Sequence, residues 1–251
     1  PVPYDKEAHH KLAYEAAKEC VVLLKNEGGI LPIDNDGCRK IAVIGDFARK
    51  PRFQGGGSSH INPYKVENLL DSIKALAGES KVVFAKGYCE GGDCSNEALL
   101  EETLTLAKDS DLVIINAGLT DDYETEASAR LHLNLPPEQL ALIDAVCAVN
   151  DRVVIILSNG SPVKMPFEPK VKAIVEGYLL GQAGAKAMAD ILFGKHNPSG
   201  KLAENLLFLL IGDMFYGAAH NAQTGFQKFH FLLLLLQTFF VYGITLHQII
   251  L

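Results

Sequence analysis

The chain has 251 residues, of which 48% are hydrophobic and 21% are charged. This composition is typical of a globular protein and excludes a disordered or collagen-like chain. At about 150 residues per domain, the length indicates one large or two small domains. Acidic residues outnumber basic ones by 30 to 23, the formal net charge is -7, and no Lys/Arg stripe is present, so nucleic acid is not an expected partner.

The five cysteines, at positions 20, 38, 89, 94 and 147, show no zinc-ligand spacing. They are interpreted as reduced thiols, with a small Cys89–Cys94 disulfide loop as the alternative. The first residues lack the basic segment and apolar run of a signal peptide. We therefore expect a cytoplasmic location, with secretion as the alternative if the sequence is a fragment.

In chain order, the first predicted element is a helix over residues 7–26, where apolar residues recur at helical spacing. Five short apolar runs rich in β-branched residues follow, and each is typical of a strand buried on both faces. The runs cover residues 41–45, 81–85, 111–118, 152–160 and 172–179, and helical patterns alternate with them at 66–77, 95–107, 136–149 and 182–193. This order predicts an α/β fold: an open, mostly parallel sheet covered by helices on both faces, or α/β sandwich.

Beyond residue 201 the composition changes, because residues 202–251 contain only three charged side chains. Polar residues crowd the leucine-rich run of this segment, so a membrane span is the less favoured alternative to an irregular apolar tail. We predict an N-terminal linker and helix over residues 1–30, a sandwich domain over 31–205 and an atypical apolar tail over 206–251.

Two long loops leave the predicted strands at their carboxyl ends, which is where ligands bind in open α/β sheets. The first loop covers residues 45–63, and its residues 55–59 are Gly-Gly-Gly-Ser-Ser. Consecutive glycines allow the backbone to approach a ligand closely, although a flexible turn is the alternative. The loop lacks the spacing of a phosphate-binding loop, which argues against a nucleotide.

The second loop, residues 118–136, contains two aspartates and two glutamates at positions 121, 122, 124 and 126. Crowded carboxylates raise one another's pKa, and a raised pKa allows a carboxyl group to act as a general acid near neutral pH. A solvated acidic face is the first alternative. A Ca²⁺ or Mg²⁺ site is the second, but the spacing is not that of an EF-hand. No metal and no cofactor is predicted.

Several motifs follow one another in a fixed order: KIAVIGDFA, FQGGGSSHINP, GLTDDYETEASARLHLNLPPEQ, VVIILSNGSPVKMPF, GYLLGQAG and ADILFGKHNPSGKLAE. Together they resemble the C-terminal α/β sandwich domain of glycoside hydrolase family 3, the β-glucosidases and their relatives, over about residues 10–205. The resemblance implies retaining hydrolysis of O-glycosidic bonds. In that family an Asp on a (β/α)₈ barrel is the nucleophile and a Glu on the sandwich domain is the acid/base.

The resemblance assigns the acid/base role to Glu126, with Glu124 in reserve. The family's loop has an aromatic residue, Glu, a small residue, Glu, Gly, any residue, Asp and Arg, which correspond here to residues 123–130. The residues that it implies for binding a β-glucoside-like carbohydrate are Gly56, Gly57, Ser58, Ser59, Tyr123 and Arg130.

Two residues depart from the family's pattern, because Ala127 stands in place of Gly and Ala129 in place of Asp. Ala127 strains the backbone if its position needs a positive φ. The loss of the Asp leaves Arg130 free to lower the pKa of Glu126.

A (β/α)₈ barrel needs about 250 residues and eight repeats, which this sequence does not supply. The nucleophile is therefore expected on a barrel domain, in cis or in trans. The surface that faces the barrel predicts homo-oligomers or aggregation of the isolated chain. The alternative functions are a catalytically inactive sugar-binding or interaction domain and, with less support, an unrelated nucleotide-binding domain.

Overall fold

Six short segments pair into one sheet, whose central strands are buried on both faces. They are β1 (Val22–Asn26), β2 (Ile41–Ile44), β3 (Val82–Ala85), β4 (Leu112–Gly118), β5 (Val153–Ser158) and β6 (Ala173–Glu176). The order is β1-β6-β5-β4-β2-β3, with β1 antiparallel to β6 and all other neighbours parallel. This computed structural model describes residues 4–89, 96–126 and 130–202, and they belong to one unit, Pro1–Ala203. The predicted apolar tail lies outside the described residues.

Helices cover both faces of the sheet, as predicted. They are α1 (Lys6–Cys20), α2 (Leu69–Ala77), α3 (Asn96–Lys108), α4 (Pro137–Cys147) and α5 (Gly184–Leu192). Because side chains alternate along a strand, Ile41 and Val43 of β2 join a core with α2 and α5, whereas Ala42 and Ile44 join a core with α3 and α4. The α/β sandwich is therefore confirmed.

The predicted first helix is too long at its C-terminal end. Helix α1 stops at Cys20, Val21 has an extended backbone, and the next five residues form the edge strand β1. Strand β1 pairs with β6, which lies about 150 residues further along the chain, with Val22 opposite Glu176. The sheet thus includes residues from the segment that was predicted as a linker and helix.

The cysteines fall into two groups. Cys20, Cys38 and Cys147 are free, whereas Cys89 is disulfide-bonded. Burial raises the pKa of Cys38 and raises that of Cys147 to about 11, so both thiols stay protonated at neutral pH. Cys89 departs from the expectation of reduced thiols and fits the disulfide alternative, while Cys94 lies outside the described residues.

Asp190 on α5 ties α1 to the sandwich. Its buried carboxylate accepts hydrogen bonds from the Tyr14 hydroxyl and the Lys186 ammonium, each at 2.6 Å. Burial raises the pKa of Asp190, but the hydrogen bonds from Lys186 and Tyr14 outweigh burial and hold the pKa below its ordinary value. A carboxyl group with a lowered folded-state pKa stabilises the fold above its unfolded-state pKa, and this contribution disappears as the pH falls through the folded-state pKa.

We expect Asp190→Ala to lower the free energy of unfolding at pH 7 by about 2–3 kcal/mol, the usual loss for hydrogen bonds to a charged group. Urea denaturation measures this loss, with the exposed Asp36→Ala as control. The difference from the unmodified chain should shrink as the pH falls from about 4, the unfolded-state pKa of an aspartate, through the lower folded-state pKa of Asp190. Equal losses in the two variants would contradict the role of Asp190.

Candidate active site

Three loops meet at the carboxyl edge of the sheet, because β2, β4 and β5 are neighbours there. The glycine-rich loop (residues 45–63) follows β2, the acidic loop (residues 119–136) follows β4, and the β5 loop (residues 159–163) follows β5. Parallel strands place all three loops on one side, which is the position expected for a ligand site in such sheets.

Glu126, on the acidic loop, contacts the glycine-rich loop and is exposed to solvent. Its Oε2 accepts a hydrogen bond from the backbone N–H of Ser58 at 3.1 Å. Gly57 has a φ of 70°, and a Cβ atom at this position would lie 2.8 Å from the Glu126 Cβ. A Cβ at Gly56 would lie 2.7 Å from the Glu124 carbonyl oxygen. The two glycines therefore allow the loops to touch, and Gly57 also adopts a backbone conformation that other residues rarely take.

The surroundings of Glu126 favour its ionised form. Hydrogen bonds from the side chain and the backbone N–H of Ser58 lower the pKa of Glu126 below its ordinary value. The expectation that Arg130 would lower this pKa is corrected, since Ser58 supplies the effect. The guanidinium of Arg130 instead donates to the carbonyl oxygen of Pro162 and interacts electrostatically with Glu124.

Glu124, the reserve candidate, has a different environment. Its side chain is only 11% exposed, and both carboxylate oxygens accept hydrogen bonds from the β5 loop. Oε2 accepts from the Gly160 backbone N–H at 2.8 Å, and Oε1 accepts from the Ser161 hydroxyl at 2.5 Å. Glu124 therefore holds two loops together, whereas Glu126 has an exposed carboxylate.

A buried arginine joins the glycine-rich loop to the acidic loop. The side chain of Arg52 is 7% exposed and donates to the carbonyl oxygens of Gln54, Leu119 and Glu124. It also forms an ion pair with Asp121, and its Nη2 lies 3.9 Å from the Glu124 Oε2. Sequence reasoning missed Arg52 because no periodic pattern marks a loop cation whose partners are mostly distant backbone oxygens.

The other predicted substrate-binding residues have local partners. The half-buried Tyr123 ring packs against the core beneath it, with its centroid 6.2 Å from that of His132. The Ser59 hydroxyl donates to the Gly56 carbonyl oxygen at 2.9 Å and so closes its own turn. Gly160 and Ser161, to which the sequence analysis assigned no role, both donate hydrogen bonds to Glu124.

Two clefts flank opposite edges of the sheet. A cleft of about 300 Å³ lies between the glycine-rich and acidic loops, and residues lining it include Phe47, Gln54, His60, Asp121 and Asp122. A larger cleft, of about 670 Å³, is lined by residues that precede the strands, such as Cys38, Asp111 and Arg152. Volume alone therefore does not identify the site, and we assign it from the carboxylate geometry at the carboxyl edge.

The described ranges contain no group of three or more His, Cys, Asp or Glu side chains that could hold a metal ion. Within the same ranges, no helix combines the length and apolar character needed to span a membrane.

Ser58→Ala removes the hydroxyl that favours the Glu126 carboxylate, so we expect the pKa of Glu126 to rise toward its ordinary value. A carboxyl-carbon NMR titration of the chain measures this pKa. Ser59→Ala is the matched control, because the Ser59 hydroxyl donates to Gly56. An unchanged pKa in Ser58→Ala, or equal shifts in both variants, would contradict the assignment.

The chain matches the family model described as the Glycosyl hydrolase family 3 C-terminal domain over residues 21–207. Thermostable beta-glucosidase B of Acetivibrio thermocellus is 48% identical over 202 residues, which cover 80% of this chain and 26% of that protein. An Exo-alpha-(1->6)-L-arabinopyranosidase of Bifidobacterium longum is 42% identical over 211 residues, covering 81% of this chain and 28% of that protein.

A solved structure of the same family is also similar to this chain. The crystal structure of a GH3 beta-glucosidase from Bifidobacterium adolescentis has a TM-score of 0.75 and 44% identity, covering 80% of this chain and 29% of that one. This chain thus spans between a quarter and three tenths of the length of these three proteins. The matches show that the chain belongs to glycosyl hydrolase family 3 and that residues 21–207 correspond to the C-terminal domain of that family.

Proposed function

We propose that this chain supplies the acid/base half of a retaining, β-glucosidase-like glycoside hydrolase site, with Glu126 as the acid/base. One observation carries the proposal: Glu126, at the position of the second Glu in the family's loop, is an exposed carboxylate held by Ser58 at the carboxyl edge of the sheet. A (β/α)₈ barrel domain, in cis or in trans, supplies the nucleophile and much of the sugar pocket.

The substrate class follows from the relatives. The Acetivibrio and Bifidobacterium adolescentis proteins are named as beta-glucosidases, so we propose a β-glucoside-like substrate for the complete site. The Bifidobacterium longum relative is named as an arabinopyranosidase, and we propose that the sugar pocket, rather than the acid/base loop, sets the sugar specificity.

The proposed reaction uses both protonation states of Glu126. As an acid it gives a proton to the leaving oxygen while the barrel's nucleophile forms a glycosyl intermediate, and as a carboxylate it then takes a proton from the attacking water. A nucleophile carboxylate about 5–5.5 Å away raises the pKa of Glu126 by repulsion, and the hydrogen bonds from Ser58 oppose that rise.

The second candidate function is sugar binding without hydrolysis. The departures at Ala127 and Ala129, next to the acid/base position, favour it. A loop that binds a sugar but holds Glu126 poorly would retain affinity and lose turnover.

A chimera separates the two functions. In it, the 202 matching residues of this chain replace the corresponding segment of the Acetivibrio beta-glucosidase, so that a barrel is present in cis. We expect hydrolysis of aryl β-glucosides and a loss of about 10²–10⁴-fold in Glu126→Gln, the usual contribution of general acid–base catalysis. The loss in the first step should be larger for a phenyl than for a dinitrophenyl leaving group, which needs no proton.

Glu102→Gln is the matched control, because Glu102 is an exposed glutamate on α3, outside the three loops of the site. If Glu126→Gln and Glu102→Gln have equal activity, the assignment of Glu126 is wrong. A folded chimera that binds glucose in calorimetric titration but hydrolyses nothing, even after Ala127→Gly and Ala129→Asp, would favour the sugar-binding function.

A further inference from the structure

The acidic loop depends on a cation that lies outside it. Arg52 belongs to the glycine-rich loop, yet its Nε donates to the Leu119 carbonyl oxygen at 3.0 Å and its Nη2 donates to the Glu124 carbonyl oxygen at 3.4 Å. These two oxygens bracket the first part of the acidic loop. The guanidinium thus fixes the path of the backbone that leads to Glu126.

The same guanidinium also holds its own loop. Its Nη1 donates to the Gln54 carbonyl oxygen, immediately before the glycines that touch Glu126, and forms an ion pair with Asp121. The other oxygen of Asp121 lies 3.5 Å from the His60 Nε2, on the far side of those glycines. One side chain therefore sets the spacing between the two loops.

The third loop is connected through the partner of Arg52. The Glu124 carboxylate lies 3.9 Å from the guanidinium and is hydrogen-bonded to Gly160 and Ser161 of the β5 loop. Burial makes these contacts necessary, because an unpaired charge in this position would destabilise the fold. A guanidinium has five donors in one plane and suits several separate acceptors, whereas a lysine ammonium has three donors at a single point.

We propose that Arg52 is a positioning residue for Glu126: it locks the acidic loop onto the glycine-rich loop so that the exposed carboxylate stays on the Ser58 N–H. The catalytic consequence of this inference rests on the proposed function. The dependence of Glu126 on Arg52 can be tested in a chain that has no activity. Glu126 makes its hydrogen bond two residues beyond the last Arg52 contact, so a small displacement of the loop breaks it.

The test compares Arg52→Met and Arg52→Lys in the full chain, with Arg39→Met as the matched control, since Arg39 is an 89% exposed arginine at the opposite edge of the sheet. A carboxyl-carbon NMR titration reports the pKa of Glu126, and circular dichroism reports folding. We expect Arg52→Met to raise the pKa of Glu126 toward its ordinary value and Arg52→Lys to give a smaller rise. Arg39→Met should leave this pKa unchanged.

A folded Arg52→Met chain in which Glu126 titrates as in the unmodified chain would overturn the proposal. Failure of both Arg52 variants to fold would also overturn it, because Arg52 would then act on stability alone. In an active chimera, we expect Arg52→Met to lower kcat by about 10²-fold, the scale of a misplacement near 1 Å, with a smaller change in KM. An inactive chimera combined with the expected NMR shift would reject the proposed function and leave the positioning role supported.

Discussion

The position of β4 between β2 and β5 is the constraint on which the candidate site depends. Strand β4 is buried along its whole length, and Ile114 pairs with Val43 on one side and Val154 on the other. Because all three strands are parallel, their carboxyl ends cannot separate without loss of the core. The sheet therefore brings the loops that follow these strands together, whatever polar contacts they make with one another. The polar contacts then select one arrangement of the loops.

Two glutamates on the acidic loop differ in environment, and this difference separates their roles. Glu124 is almost fully buried, with both oxygens occupied by donors of the β5 loop. Glu126 is exposed and meets the glycine-rich loop through Ser58. A carboxylate whose two oxygens both bind a neighbouring loop leaves no oxygen for a ligand and suits a structural role. An accessible carboxylate with a free edge can exchange a proton with a ligand, so environment rather than residue type favours Glu126 for the proposed chemistry.

The sequence predicted the parts of the fold that local patterns encode. Strands buried on both faces are near-continuous apolar runs, so β2 to β6 were found with shifted ends. Strand β1 was missed because it is a half-exposed edge strand whose pairing with β6 depends on residues far along the chain. Its apolar spacing also continues that of α1, which made one long helix the simplest interpretation of residues 7–26.

The candidate site, like the fold, was only partly predictable from the sequence. The meeting of the glycine-rich and acidic loops was predictable, because both follow parallel strands and because the family resemblance joined them. Arg52, Gly160 and Ser161 were not predictable, since their role consists of single hydrogen bonds between loops that are distant in sequence. No periodicity marks such contacts. The expected effect of Arg130 on Glu126 failed for a related reason, because closeness in sequence did not place the cation beside that carboxylate.

The electrostatics of Glu126 indicate what the rest of a complete site must provide. In this domain the carboxylate is stabilised by Ser58, which suits a base and disfavours an acid at neutral pH. A retaining glycosidase needs both forms in one cycle. In the proposed acid role, Glu126 therefore needs a negative charge from beyond the described residues, and that charge has to be lost once the base form is needed. A nucleophile carboxylate does both, because it is anionic before attack and becomes a neutral ester in the glycosyl intermediate. The lowered pKa of Glu126 in the isolated domain suits the base step, and the proposed partner carboxylate raises that pKa for the acid step.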